Sequence, residues 1–268
     1  MPADLHIHTT YSDGSDSPQK VVERAVAQGL DAIAITDHDT VSGVPAALEA
    51  ARDLPLVVVP GVEINTDYMG REIHILGYFI NIKDPTLIHR LGLLATARDE
   101  RVSRIVGRLG SLGVHIELDT IRFKKAGTLG RPHVAEALRS AGVVSTIQEA
   151  FDRFIGRGRP AYVPRSWYTP GEAVTMVLEA GGIPVMAHPG PADADRMIPK
   201  LAESGLKGIE VFHPEHSQPD IDHYLQLCQR YGLIATGGSD YHGHRYRSQL
   251  GQSTVSKTVV DQLRRLSL

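Results

Sequence analysis

The sequence predicts an α/β fold, either a parallel α/β barrel or a doubly wound sheet, that carries a helical insertion. Short apolar runs alternate with helical segments near both ends of the 268-residue chain. This alternation is typical of βαβ units. Residues 85–154 are mostly helical and basic and contain no convincing strand. We therefore predict one α/β domain formed by residues 1–84 and 155–268, with residues 85–154 inserted between its two parts.

The first part of this domain alternates strands and helices. Ser17 and Pro18 place a hydroxyl cap and a proline at the start of a helix, which Gly29 ends. The apolar centre of residues 31–36 is typical of a buried parallel strand. The predicted elements are strands at 3–7, 31–36, 56–60 and 72–78, with helices from Ser17 to Gly29 and from Gly43 to Arg52.

The same alternation returns after the insertion. Gly181 and Gly182 end one helical segment and separate it from the next strand. The predicted helices are 170–180, 198–204 and 220–231, and the predicted strands are 183–187, 208–212 and 233–236. Strands and helices of this length indicate parallel pairing with helices packed on the sheet.

The composition indicates a globular protein without internal disulfides, with 42% hydrophobic and 22% charged residues. Cys228 is the single cysteine, so any metal ligands must be His, Asp or Glu. The net charge of −3 leaves recognition of a polyanion to a local basic patch. The chain begins without signal-peptide features, and no apolar run approaches the roughly 20 residues that span a bilayer. We therefore expect a cytoplasmic protein with no membrane association.

Histidine and carboxylate residues recur where the predicted strands end. His6 and His8 are alternate residues of a strand, so both rings can face one ion, although such a pair alone is equally typical of a surface. His74 alone is more typical of a satisfied core histidine. Because the carboxyl ends of parallel strands meet on one face, the recurrence predicts a single site. The nine candidate metal ligands are His6, His8, Asp13, His38, Glu63, His74, His188, Asp240 and His242.

This set of ligands predicts two or three divalent ions. Nine nitrogen and oxygen ligands exceed what one four-coordinate ion needs. Mixed His and carboxylate ligands suit manganese, zinc or iron better than calcium or copper, and of these three we expect manganese. Glu63 could bridge two ions about 3.5–4 Å apart, as two-metal phosphoester chemistry requires. We therefore expect a metal-dependent phosphoester hydrolase in which Glu63, Asp240 and His188 are catalytic.

The motifs that contain these residues resemble those of the PHP family, which is named for its polymerase and histidinol-phosphatase members. They are His6-Ile7-His8, Tyr11-Ser12-Asp13-Gly14, Thr36-Asp37-His38-Asp39, Pro60-Gly61-Val62-Glu63, Glu72-Ile73-His74, Ala187-His188-Pro189 and Gly238-Ser239-Asp240-Tyr241-His242. The resemblance implies a distorted seven-stranded β/α barrel with up to three ions. It also implies one ion held by His6, His8, Glu63 and Asp240, a second by Glu63, His74 and His188, and a third by Asp13, His38 and His242.

Within this family, the insertion and the segment from Gly130 to His133 resemble a bacterial nucleotide phosphatase subgroup. Members of that subgroup remove the 3′-phosphate from 3′,5′-nucleotide bisphosphates, and related members trim short RNA from its 5′ end. The resemblance implies a small nucleotide as substrate, such as adenosine 3′,5′-bisphosphate converted to AMP. Short single-stranded RNA is a further expected substrate, and we expect no obligate protein partner.

Five residues are candidates for contact with that substrate. Gly130 and Pro132 constrain the turn around Arg131, whose guanidinium can bind a phosphate with two hydrogen bonds. His213 follows a predicted strand, where it could bind substrate, protonate a leaving oxygen or support the metal ligands. The expected substrate-binding residues are Arg131, His133, Lys124 and Arg245, and His213 is the additional catalytic candidate.

Three other functions remain open from the sequence. A histidinol phosphate phosphatase shares the metal ligands, although the basic insertion exceeds what a substrate with one phosphate and a free amine needs. A polymerase-associated proofreading module shares them too, although these 268 residues contain no polymerase sequence. A non-catalytic nucleotide- or RNA-binding module should have lost metal ligands, whereas every ligand type is present.

Overall fold

The computed structural model describes residues 2–123, 129–164, 168–192, 194–243 and 248–267. Its strands form one eight-stranded sheet, in which hydrogen-bonded neighbours follow the order β7-β6-β5-β4-β3-β2-β1-β8. The strands are β1 (Pro2–Ile7), β2 (Ala32–Ile35), β3 (Val57–Tyr68), β4 (Arg71–Tyr78), β5 (Ile183–Met186), β6 (Gly208–Phe212), β7 (Ile234–Gly237) and β8 (Val255–Ser256).

The helices include those that the sequence predicts. They are α1 (Pro18–Ala27), α2 (Val44–Ala50), α3 (Pro85–Ser111), α4 (Leu118–Phe123), α5 (Arg131–Ser140), α6 (Ile147–Ala150), α7 (Pro170–Glu179), α8 (Pro189–Ala192), α9 (Ile198–Glu203), α10 (Gln218–Tyr231) and α11 (Lys257–Leu266). Of these, α8 and α11 are additional to the prediction. A π-helical turn at Phe151–Ile155 and a 3-10 turn at Asp195–Met197 complete the set. Among the described residues, no helix has both the length and the apolarity to cross a bilayer.

The sheet curls into a nearly closed barrel of mixed direction. β1, β2 and β3 run parallel, as do β5, β6 and β7. β4 runs antiparallel to both β3 and β5, and β8 runs antiparallel to β1. A bridge between Ile7 and Tyr241 brings the end of β1 to the segment after β7. The predicted α/β barrel is therefore confirmed, and the short β8 is added to the expected seven strands.

The β3–β4 hairpin differs most from the prediction. The sequence predicts a strand that ends at Pro60, whereas β3 continues to Tyr68, and its residues from Gly61 to Tyr68 pair with β4. Gly61 permits this continuation, because a Cβ there would lie 2.9 Å from the carbonyl oxygen of Ile35. Glu63 therefore lies inside a strand and not after one. The hairpin extends the barrel wall beside the ends of the parallel strands.

Alternate strand residues pack on opposite sides of the sheet. Ile33 and Ile35 of β2 join a large apolar cluster with residues of α1, α2, α7 and α10. Ala32 and Ala34 join a second cluster made of strand residues and α11. Successive side chains of a strand point to opposite faces of the sheet, so a strand buried on both faces contributes to two separate clusters. The second cluster fills the barrel, and the first holds the helices on its outside.

The inserted helices have an apolar cluster of their own. It runs from Val102 to Val163 and includes side chains from α3, α5 and α6. The first half of α3 instead packs on the barrel, through Leu87, Leu91 and Leu94. α3 therefore connects the two clusters, and the boundaries at 84/85 and 154/155 remain a prediction.

Candidate metal centre

The nine ligands that the sequence predicts converge at one end of the barrel. His6 and Asp240, for example, are 234 residues apart in the chain but lie 3.3 Å apart here. They come from β1 and the turn after it (His6, His8, Asp13), the segment after β2 (His38), the β3–β4 hairpin (Glu63, His74), the segment after β5 (His188) and the segment after β7 (Asp240, His242).

The carboxylate of Glu63 lies at the centre of this cluster, with 1% of its side chain exposed. Its Oε1 atom lies 2.8 Å from His74 Nδ1, 3.2 Å from His188 Nε2 and 3.4 Å from His6 Nε2. His74 reaches Oε1 because it and Glu63 lie on the same face of the hairpin, two residues apart in register. One oxygen atom therefore contacts ligands from three separate strands.

The second oxygen of Glu63 faces the other half of the cluster. Oε2 lies 2.6 Å from His38 Nδ1 and 3.3 Å from His8 Nε2. A carboxylate that offers its two oxygens to different groups of ligands has the geometry of a bridge between metal ions. Glu63 thus connects the two sides of the site.

Two aspartates complete the cluster. Asp240 Oδ1 lies 3.1 Å from His8 Nε2 and 3.3 Å from His6 Nε2. Asp13 Oδ1 lies 3.2 Å from His242 Nε2, and Asp13 Oδ2 lies 3.6 Å from His38 Nε2. The ligand atoms form four overlapping groups in which all atoms lie within 4.8 Å of one another: His8, Asp13, His38 and His242; His6, His8 and Asp240; His6, Glu63 and His188; and His38, Glu63 and His74.

The ligand atoms fit a set of divalent cations. Asp13 Oδ1, Glu63 Oε2, His74 Nε2 and His213 Nε2 are buried and make no hydrogen bond of acceptable geometry within the described part of the chain, although Asp13 Oδ1 and Glu63 Oε2 lie close to histidine nitrogens. An unsatisfied buried polar atom costs about 1–3 kcal/mol, and bound cations would satisfy several of these atoms. Imidazole and carboxylate groups at these positions can satisfy manganese, zinc or iron.

The groupings that the resemblance implies correspond in part to this geometry. Asp13, His38 and His242 form one group, which His8 also joins. Glu63 Oε1 contacts both His74 and His188, as implied. The geometry differs in two ways. Glu63 is absent from the group of His6, His8 and Asp240, and His188 groups with His6 and Glu63 whereas His74 groups with His38 and Glu63.

The electrostatic field of the site favours positive charge. Burial acts to raise the pKa of Asp13, Glu63 and Asp240, but the surrounding histidines hold each pKa well below its ordinary value. Burial acts to lower the pKa of His242, but Asp13 and Asp240 raise it to about 9. A field that stabilises an imidazolium would also stabilise a bound divalent cation.

His38 differs from His242. Burial lowers the pKa of His38 to about 4, and the opposing effects of Glu63 and Asp13 do not overcome it. This ring is therefore neutral at pH 7, which is the form that a metal ligand requires.

Comparison with known families gives the same assignment. The model of the PHP domain matches residues 4–152, which is more than half of the chain. The chain belongs to the PHP family. Most of the ligands discussed above lie within the matched region, and the structure adds His188, Asp240 and His242 from beyond it.

Relatives of this PHP protein have several named activities. It is 36% identical to a phosphoribosyl 1,2-cyclic phosphate 1,2-diphosphodiesterase from Eggerthella lenta, over 91% of this chain and 95% of that protein. It is 34% identical to the 5′-3′ exoribonuclease Rnm of Escherichia coli, over 89% and 84%. It is 32% identical to a 3′,5′-nucleoside bisphosphate phosphatase from Chromobacterium violaceum, over 89% and 86%. All three are phosphoesterases by name.

Solved structures resemble the whole chain. A predicted metal-dependent phosphoesterase from Bifidobacterium adolescentis has a TM-score of 0.93 at 30% identity, covering 99% of this chain and 96% of that one. An amidohydrolase from Chromobacterium violaceum has a TM-score of 0.89 at 29% identity, covering 98% and 96%. The protein is therefore a PHP-type phosphoesterase with a site for metal ions.

Glu210 is the main site residue that the sequence interpretation missed. It is fully buried on β6 and accepts a hydrogen bond from His6 Nδ1 at 2.9 Å and another from the backbone N–H of His188, also at 2.9 Å. Burial acts to raise its pKa, but His6 lowers it below the ordinary value. The sequence feature that could have identified Glu210 is its position as the one charged residue inside the apolar run Gly208–Phe212.

Asp37 is a second buried carboxylate that supports the site, next to the segment that follows β1. Asp37 accepts hydrogen bonds from the N–H and the hydroxyl of Thr9 and from the hydroxyl of Ser12, each at 2.7 Å. The Ser12 hydroxyl also lies 3.3 Å from His8 Nδ1. Glu210 therefore binds the far side of the His6 ring directly, and Asp37 supports the far side of the His8 ring through Ser12. These contacts orient each Nε2 toward the site.

Three residues of the site have backbone conformations that side chains other than glycine rarely adopt. The φ angles are +53° at Asp39, +23° at His188 and +50° at Asp240. Such conformations persist only where surrounding contacts stabilise them, and they concentrate at functional sites. The hydrogen bond from the His188 N–H to Glu210 is one of these contacts.

The structure describes two of the four predicted substrate-binding residues, Arg131 and His133. Arg131 Nη2 lies 2.6 Å from Glu72 Oε2, and its guanidinium stacks near the rings of Phe151 and Tyr162. His133 Nδ1 accepts a hydrogen bond from the Gly130 N–H at the start of α5. Lys124 and Arg245 lie outside the described residues. Substrate contact by any of the four remains a prediction.

His213 enters the site as predicted. It is buried after β6, and its Nε2 lies 3.8 Å from Asp240 Oδ2. Its ring centroid lies 5.3 Å from that of His188 and 5.4 Å from that of His216. His216 is buried as well, and its ring receives a hydrogen bond from the Gly190 N–H.

Glu210→Gln should weaken metal binding without unfolding the protein. The glutamine amide is close in size to the carboxylate, but it lacks the negative charge that fixes the His6 ring. Loss of such a partner lowers metal affinity roughly 10- to 100-fold. Isothermal titration of metal-free protein with Mn²⁺ measures this effect. Glu203→Gln, a surface carboxylate on α9, is the matched control. Equal affinities in the two variants would contradict the positioning role of Glu210.

Proposed function

We propose that this protein is a metal-dependent phosphatase that removes the 3′-phosphate from 3′,5′-nucleotide bisphosphates, such as adenosine 3′,5′-bisphosphate to give AMP. The position of Arg131 supports this proposal. Glu72 lies two residues before His74 on β4, so the two side chains point to the same face. Arg131 binds Glu72 and therefore lies beside the ligand cluster.

The charges around Glu72 favour a substrate with a second phosphate. Arg101 Nη2 lies 2.9 Å from Glu72 Oε1, while Arg131 binds Oε2. Two guanidinium groups thus share one carboxylate, which leaves net positive charge next to the cluster. A phosphate is a strong bidentate partner for arginine. One phosphate of the substrate would lie at the ligand cluster, and the other would bind Arg131.

The relatives give further support. Each of the three named activities concerns a phosphate ester of ribose or of a ribonucleotide, and one is the bisphosphate phosphatase itself. The exoribonuclease relative, at 34% identity, favours trimming of short RNA from the 5′ end as a second activity of the same site. Both proposed substrates carry two phosphate groups close together on a ribose framework.

The residues of the cluster would divide the chemistry between them. Glu63, Asp240 and His188 would hold the ions together with the other six ligands, and we propose manganese as the metal. Bound divalent ions activate water as a nucleophile and neutralise phosphoryl oxygens. His213 lies beside Asp240, where its Nε2 could donate a proton to the leaving 3′-oxygen.

A panel of substrates tests the proposed activity. Phosphate release by Mn²⁺-loaded protein should show the highest kcat/KM for adenosine 3′,5′-bisphosphate, with AMP as the product. The panel also contains AMP, histidinol phosphate, a ribose 1,2-cyclic phosphate and 5′-phosphorylated oligoribonucleotides. Arg131→Met should lower kcat/KM for the bisphosphate by roughly 10- to 100-fold, the value of a charge-assisted hydrogen bond, whereas Arg104→Met on the exposed side of α3 should not. Preference for histidinol phosphate or the cyclic ester would refute the assignment.

The role of His213 predicts a dependence on the leaving group. Loss of a general acid typically slows a reaction by about 10²- to 10⁴-fold, but a leaving group that departs without protonation does not need one. His213→Asn should therefore slow hydrolysis of the bisphosphate much more than hydrolysis of p-nitrophenyl phosphate. Steady-state kinetics on the two substrates measure the difference. If both rates fall equally, His213 supports the metal ligands and does not act as the acid.

A further inference from the structure

Arg98 is a buried arginine where the insertion meets the barrel. It lies on α3, and 6% of its surface is exposed. Arg101 on the same helix is also buried, where it binds Glu72, whereas Arg104 and Arg108 are exposed. A charged side chain is rarely buried unless it is paired and hydrogen-bonded, so its contacts indicate what it does.

One side of the Arg98 guanidinium contacts the barrel next to a metal ligand. Its Nη1 lies 2.9 Å from Oδ2 of Asp39, which is 1% exposed and follows His38 directly. Asn65 donates to both oxygens of Asp39, from its N–H and from its amide group, at 2.9 Å each. The same amide nitrogen lies 3.0 Å from His38 Nδ1. The ion pair is therefore part of the network that holds the His38 segment.

The other side of the guanidinium contacts the segment before α5. Arg98 Nε donates to the carbonyl oxygen of Leu129 at 2.7 Å. A Cβ atom at Gly130 would lie 2.8 Å from Arg98 Nη2, so the absence of a side chain at Gly130 allows the guanidinium to pack there. α5 begins at the next residue, Arg131. Arg98 therefore contacts the backbone that leads directly into α5.

A buried ion pair is a poor source of stability by itself. The cost of removing both charges from water is comparable to their attraction, and apolar replacements of similar size are often as stable. The guanidinium instead offers donors in fixed directions, which a lysine ammonium cannot do. This property suits a residue that must hold two backbone segments at a set separation.

We propose that Arg98 is a positioning residue that fixes the segment Leu129–His133 against the Asp39–His38 segment, so that Arg131 is held at a set distance from the metal ligands. The inference rests on the proposed function for the identity of the substrate, but the placement of the segment does not depend on it. Arg98 itself need not touch the substrate. It acts through the backbone of Leu129 and Gly130.

Two variants disturb this contact from opposite sides. Arg98→Lys keeps the charge for Asp39 but loses the directed bond to Leu129. Gly130→Ala keeps Arg98 but pushes the guanidinium away. Arg104→Lys, on the same helix, is the matched control. Hydrogen exchange followed by mass spectrometry measures the amides of residues 129–134, and kinetics compare adenosine 3′,5′-bisphosphate with p-nitrophenyl phosphate.

Both variants should speed exchange in residues 129–134 and leave exchange in β1 to β4 unchanged, whereas Arg104→Lys changes neither. The loss of kcat/KM should be about 10-fold or more larger for the bisphosphate than for p-nitrophenyl phosphate, since a shift of about 1 Å in a bound group can cost 10²-fold. Unchanged exchange in residues 129–134, or faster exchange throughout the protein with a lower Tm, would overturn the inference. If the wild type does not hydrolyse the bisphosphate, the proposed function fails, and the exchange result still decides the role of Arg98.

Discussion

Glu63 places an ionised carboxylate in the interior of the protein, within 3.4 Å of five imidazole rings. Burial of such a charge is costly unless neighbouring groups compensate for it. The barrel brings those groups together, because its strands deliver His6, His8 and His188 to one end while the long β3–β4 hairpin places Glu63 among them. The arrangement of the site depends on this one carboxylate and on the cations that would complete it.

Further buried carboxylates hold the ligands in place. Asp4 accepts hydrogen bonds from the N–H and the hydroxyl of Ser239 and from the N–H of Gly251, which fixes the segment that carries Asp240. Its pKa is raised to about 6 by burial, against these hydrogen bonds. Glu210 fixes His6 and His188 in the same manner. Side chains outside the ligand cluster thus hold the candidate ligands in place.

Most of the nine candidate ligands could be placed on one face from the sequence, because parallel strands bring their carboxyl ends there. Glu63 and His74 reach the same face from within the antiparallel β3–β4 hairpin. Glu210 and Arg98 could not be predicted, because their roles depend on how distant segments meet. Glu210 bonds to a histidine 204 residues away, and Arg98 connects a barrel loop to the start of an inserted helix. Likewise, the sequence predicts that Arg131 binds a phosphate, but its ion pair with Glu72 depends on the register of β4 and was not predicted.

The amount of metal bound per chain tests the account most directly. Elemental analysis of protein reconstituted with Mn²⁺ and freed of excess metal should give about two to three equivalents per chain, as expected for nine ligands shared by bridged ions. Glu63→Gln should retain less than about one equivalent, because its carboxylate joins the groups of ligands. Fewer than about one equivalent in the wild type, or equal metal content in the variant, would contradict the assignment of these nine residues to one metal centre.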